Sequence, residues 1–145
     1  MPSRPATHYA IDFGTTNTVI VRSAEDEAPP EIVSLPDLSL PARSGQPEHV
    51  PSLLYVKPDY PVLGGTVRTH ALEFSRDKRL FRDFKRGILN PASMNRRAID
   101  GQIWTDRDAG SAFLAGVTMA LPPAYDIERL ALTVPVGAAD AYLSW

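Results

Sequence analysis

Tyr9-Ala10-Ile11-Asp12-Phe13-Gly14-Thr15-Thr16-Asn17-Thr18-Val19-Ile20-Val21 is the stretch on which the fold of this chain turns. Tyr9 to Phe13 is short and apolar, Thr18 to Val21 is rich in β-branched residues, and Gly14-Thr15-Thr16 reverses the chain between them. The pattern predicts two strands joined as a hairpin. A glycine at the bend lets the backbone turn tightly and approach a ligand. Successive backbone N–H groups in such a turn converge on an anion. Thr15 and Thr16 add hydroxyl donors, and a hydrogen bond to a charged group is worth about 1.5–3 kcal/mol. Asp12 alone repels phosphate, but a hydrated Mg²⁺ between carboxylate and phosphate reconciles the two. Metal aspartate, approach glycine and phosphate threonines together form a nucleotide-hydrolysis set. An ordinary hairpin turn, rich in Gly, Thr and Asn, fits the composition equally well. Neither G-x-x-x-x-G-K-[ST] nor G-x-G-x-x-G occurs, so the turn is not a P-loop or a dinucleotide fingerprint.

Outward from that turn, 145 residues amount to one domain, and 43% hydrophobic with 22% charged residues excludes a disordered tail. The longest apolar runs, such as Leu53-Leu54-Tyr55-Val56, fall far short of a membrane span, which needs about 20 residues. Met1-Pro2-Ser3-Arg4-Pro5 carries no apolar leader core, so the expected location is cytoplasmic with no membrane partner. The absence of cysteine excludes disulfides and thiolate metal sites. The net charge of −2 gives no case for nucleic acid. Residues 68–97 nevertheless hold Arg68, Arg76, Lys78, Arg79, Arg82, Lys85, Arg86, Arg96 and Arg97 against Glu73, Asp77 and Asp83. Such a stretch attracts phosphates by its field, although from charge alone a solvated face is the better reading, Lys85 and Arg86 included.

Eight of the prolines, Pro29 to Pro61, forbid a long helix there and predict short extended segments, with strands at 31–35 and 53–56. A helix is predicted over 106–121, begun by Thr105 and Asp108 in capping-box spacing and stopped by Pro122-Pro123. Residues 129–134 read as a strand, and a helical pattern from Ala138 breaks off at Trp145. His8, His49 and His70 lack ligand spacing. Trp104 and Phe113 read as core anchors, and Asp106 and Asp108 as a helix start.

Ile11-Asp12-Phe13-Gly14-Thr15-Thr16-Asn17-Thr18 resembles the first phosphate motif of the actin-like ATPase superfamily, in the I-D-L-G-T-T-N-S form of 70-kDa heat-shock chaperones. Four further segments follow in the family's order. They are Val50-Pro51-Ser52-Leu53-Leu54-Tyr55-Val56, Val62-Leu63-Gly64-Gly65 with Arg68 and Ala71, Phe84-Lys85-Arg86-Gly87-Ile88, and Leu132-Thr133-Val134-Pro135-Val136. Each later segment is a weak match; five in one order are a strong one.

The resemblance implies an α/β fold, a partial actin-like ATPase (ribonuclease H-like) lobe with a mixed β-sheet and flanking helices. Residues 1–145 would form the N-terminal part of such a nucleotide-binding domain, with the second lobe absent. The implied ligands are ATP and Mg²⁺, and the implied partners are unfolded client proteins and co-chaperones in a stress response. By the same resemblance Asp12 orients Mg²⁺ through water, Gly14, Thr15, Thr16 and Asn17 hold phosphates, and Pro135 relays nucleotide state. The family's catalytic lysine is aligned with Arg68 and its interdomain arginine with Leu143. Arginine keeps the charge but not the point-charge geometry of lysine, so binding is expected to outlast hydrolysis. The family's second phosphate motif, catalytic glutamate and adenosine motif are expected beyond residue 145. Two alternatives stand beside this reading: a non-catalytic partner-binding module, and a sugar kinase-like member of the superfamily. Val50-Pro51-Ser52 and Thr133-Val134-Pro135 argue against the second.

Overall fold

Strand β1 (Thr7–Phe13) sets the architecture because its alternate residues have opposite fates. Thr7, Tyr9, Ile11 and Phe13 are buried, whereas Ala10 and Asp12 are exposed, the period of a strand with one face on the core. The computed structural model describes residues 7–24, 29–122, 127–135 and 138–145.

β1 pairs antiparallel with β2 (Asn17–Ala24) through a register in which Phe13 faces Thr18 and Ile11 faces Ile20. The predicted hairpin is therefore present. β2 also carries two short partners, β3 (Glu31–Ile32) and β4 (Val50–Pro51). The strand predicted over 31–35 is thus shortened to two residues, because Leu35 leaves the sheet to plug the core instead. A second, three-stranded antiparallel sheet has β5 (Leu54–Val56) at its centre, between β6 (Pro61–Leu63) and β7 (Leu80–Phe81). β8 (Arg96–Ile99) and β9 (Gln102–Thr105) form a separate hairpin. Strand β10 (Ile127–Leu132) runs parallel to β1 and completes the larger sheet in the order β10-β1-β2-β3. A sheet with both parallel and antiparallel pairs, flanked by helices, makes the chain a mixed α/β protein.

The helices among the described residues are α1 (Gly65–Thr69), α2 (Phe84–Leu89), α3 (Asp106–Met119) and α4 (Ala139–Ser144). α3 begins as its spacing predicts: Thr105 Oγ1 accepts from the Asp108 N–H at 3.2 Å, and Asp108 Oδ2 accepts from the Thr105 N–H at 2.8 Å. The Asp106 carboxylate, 1% exposed, accepts from the Asn95 backbone N–H at 2.8 Å, so it belongs to the helix start and not to acid–base chemistry. An added Cβ at Gly87 would land on that carboxylate, which makes the close crossing of α2 and α3 depend on glycine.

The main core lies between the larger sheet and these helices. Phe13 is its centre, with ring centroids 5.8 Å from Phe113, 6.1 Å from Phe84 and 6.1 Å from Trp145. Phe113 is an anchor as expected, while Trp104 is half-buried and packs against the core edge. A smaller apolar cluster, Val62, Val67 and Leu80, holds the three-stranded sheet to α1. No helix of the described residues is long and apolar enough to cross a membrane.

A candidate phosphate-binding turn

The β1–β2 turn is compact because Gly14 leaves no room for a side chain: an added Cβ would land on the Asn17 carbonyl oxygen. Ser52 braces it from below. The Ser52 N–H donates to the Thr16 carbonyl at 2.8 Å, and its hydroxyl donates to the Gly14 carbonyl at 2.8 Å while lying 3.0 Å from Thr18 Oγ1. The Val50-Pro51-Ser52 segment is therefore a structural partner of the turn, a role that its sequence alone did not reveal.

One side of the turn opens onto a cavity of about 370 Å³. Thr15, Thr16, Ser52 and Leu53 form one part of its wall, and Arg68, Glu73, Phe74, Arg82 and Asp83 the rest. Arg68 is thus brought to the same space as the two threonines from 52 residues further along the chain. Its Nε lies 2.9 Å from Glu73 Oε2, so its charge is shared with a carboxylate.

The other side of the turn carries different chemistry. Asp12, exposed at the end of β1, accepts a hydrogen bond at Oδ1 from Thr133 Oγ1 at 2.8 Å, and the Thr133 N–H donates to the Ile11 carbonyl at 3.0 Å. Lys85 on α2 reaches this region from beneath. It is 7% exposed, not part of a solvated face; its Nζ donates to the Phe13 carbonyl and stands 5.1 Å from the Phe13 ring centre and 5.6 Å from that of Tyr142. Burial holds the Lys85 ammonium below the usual lysine range, and the charge of Asp12 opposes that shift. Arg86, the next residue, is exposed. Asn17 sits half-buried in the turn, with its Oδ1 sealed from solvent and without a hydrogen-bond partner. A polar atom in that state costs stability unless something outside the protein completes it.

Other basic residues of the 68–97 stretch hold structure. Arg79 Nη1 donates to Asp100 Oδ2 at 2.7 Å, an ion pair that holds the Asp100 carboxyl below its ordinary range. The Arg97 guanidinium lies 4.1 Å from the Phe81 ring centre and donates to the Lys78 carbonyl at 2.9 Å. Arg76, Lys78 and Arg82 remain exposed.

The fold therefore gathers Thr15, Thr16 and Arg68 on the cavity side and places Asp12 with Thr133 and Lys85 on the other. Pro135 is half-buried just past β10, while Val136 lies outside the described residues. His49 is buried with Nδ1 2.8 Å from the Pro47 carbonyl, and no group of three His, Asp or Glu side chains suited to a metal occurs among the described residues. Compared with protein-family models and with curated proteins, the chain matches none.

Proposed function

We propose that this chain is the phosphate-gripping lobe of a Mg-ATP-binding protein, built like the first part of an actin-like ATPase and resembling 70-kDa heat-shock chaperones, whose work is the handling of unfolded protein. One observation carries the reading: four segments far apart in sequence meet at the single β1–β2 turn. Ser52 braces it, Arg68 faces it across the cavity, Lys85 holds the Phe13 carbonyl, and Thr133 holds Asp12. An ordinary hairpin turn needs none of these partners.

The residues fit the ligand. Backbone N–H groups at Gly14 to Asn17, with the Thr15 and Thr16 hydroxyls, supply donors for phosphate oxygens. Asp12 is exposed and fixed through one oxygen, which leaves the other for metal-bound water. Mg²⁺, when bound there, supplies charge neutralisation between the Asp12 carboxylate and the phosphates. Lys85 adds a cation whose position is set by packing. The Arg68–Glu73 ion pair favours a second reading beside the first, binding of nucleotide without hydrolysis, since a guanidinium already paired offers less to a developing charge.

Calorimetric titration with ATP, with and without Mg²⁺, tests the proposal on the chain and its Asp12→Asn variant. The native chain should bind about tenfold more tightly with Mg²⁺, the change expected when one charge-assisted contact of about 1.4 kcal/mol is gained. Asp12→Asn should abolish that dependence. An equal Mg²⁺ response in both proteins contradicts the assignment of Asp12.

A further inference from the structure

Three exposed cations of the 68–97 stretch, Arg76, Lys78 and Arg82, line one groove of about 650 Å³ beside Phe74. The carboxylates in its wall are already engaged. Glu73 Oε2 holds Arg68, and Asp77 accepts from the Arg79 N–H at 3.1 Å and from the Tyr55 hydroxyl at 3.4 Å. Among the described residues no carboxylate pairs with Arg76, Lys78 or Arg82. Arg82 gives Nη2 to the Glu73 carbonyl and keeps further guanidinium donors. The groove therefore carries unbalanced positive charge in a chain whose net charge is −2.

The groove is also held in shape. The Asp77 N–H donates to Ser75 Oγ at 3.0 Å, which closes the turn that carries Arg76 and Lys78. Arg97 ties the same turn down by donating to the carbonyls of Lys78 and Leu80 while its guanidinium covers the Phe81 ring. Phe74, 79% exposed, ends the 3-10 turn Leu72–Phe74, and Leu72 packs against the cluster of Val62, Val67 and Leu80. A bare aromatic ring and three cations on a braced backbone lower the ordering cost of binding.

Charge and shape select the occupant. A small anion would satisfy the cations and leave Phe74 in water. A long polyanion such as nucleic acid would meet the three cations and then a chain that is acidic as a whole. An extended acidic peptide segment with one apolar side chain uses both features, since its carboxylates accept from the cations while its apolar group covers the ring. We infer that this groove docks an acidic, extended segment of a partner protein, with an apolar side chain on Phe74 and carboxylates on Arg76, Lys78 and Arg82. The phosphate reading of the turn is not needed for it, because Thr15, Thr16 and Arg68 lie outside the wall of this groove.

Fluorescence anisotropy tests the docking with a labelled peptide of alternating glutamate and glycine around one leucine. Two further peptides replace its glutamates by glutamine or its leucine by glycine. The native chain is compared with Arg76→Gln/Lys78→Gln, with Phe74→Ala and with Arg43→Gln/Arg96→Gln, a control of equal charge change away from the groove. All the replaced side chains are exposed, so each variant should unfold at the native temperature. The leucine–glutamate peptide should bind the native chain and the control alike, and about tenfold more weakly to Arg76→Gln/Lys78→Gln, the loss expected for two exposed ion pairs. Phe74→Ala should weaken it about fivefold and leave the leucine-free peptide unchanged. Failure of the leucine–glutamate peptide to bind overturns the inference, as does equal binding of the glutamine peptide or an unchanged affinity in Phe74→Ala. Equal weakening by the control would reduce the groove to a solvated basic face. An oligothymidylate that binds more tightly than the peptide would overturn it in favour of nucleic acid.

Discussion

The two sides of the β1–β2 turn rest on different foundations. The Asp12 side stands on the main core: Lys85 lies against Phe13 and Tyr142, and Phe13 is enclosed by Phe84, Phe113 and Trp145. The cavity side stands on a small cluster of Val62, Val67 and Leu80, and its functional groups are held mainly by the Arg68–Glu73 pair and the Arg82 contact. Aromatic burial of the first kind gives a fixed geometry, since close-packed interiors do not deform continuously. Partly exposed ion pairs of the second kind contribute little stability and are screened by salt. The turn therefore has a rigid Asp12 side and a more adjustable cavity side.

The largest effect should come from breaking the rigid side. Phe113→Ala removes a fully buried ring stacked on Phe13 and should cost about 3–5 kcal/mol in urea denaturation. A loss near that of a surface substitution would show that the aromatic group is not the foundation of the turn. Val67→Ala, in the small cluster, removes a buried side chain of less volume and should cost about 2 kcal/mol. Its sharper signature is local: amide hydrogen exchange should rise across residues 65–74 with little change at 9–20. Uniform acceleration in both regions would erase the distinction between the two sides.

The smallest stability effect belongs to Lys85→Met. Relief from burying an ammonium offsets the lost hydrogen bond to Phe13, so stability should move by less than about 1 kcal/mol. Phosphate affinity should nonetheless fall several-fold, as measured by tripolyphosphate titration. A large stability loss with unchanged affinity would make Lys85 a structural cation only.

Much of this arrangement is legible along the chain. The short apolar run Tyr9 to Phe13, the turn Gly14-Thr15-Thr16 and the β-branched run after it specify the hairpin, and Thr105 with Asp108 specifies the start of α3 by local hydrogen bonding. The partners of the turn are harder to read because they are set by tertiary contact. Lys85 looks like one more charge in a basic stretch, and only the packing of α2 beneath Phe13 buries it. Ser52 offers a single hydroxyl whose role depends on β4 pairing with the first residues of β2. Phe74, an isolated aromatic in a polar segment, gains meaning only from the anchoring of its neighbours.

Backbone amide chemical-shift mapping during a MgATP titration of the isotopically labelled chain tests the central claim most directly. The account predicts saturable shifts that are largest at Gly14, Thr15, Thr16 and Asn17 and extend to Ser52 and Arg68. Saturable shifts elsewhere with residues 14–17 unmoved, or a titration that moves no amide, would contradict it.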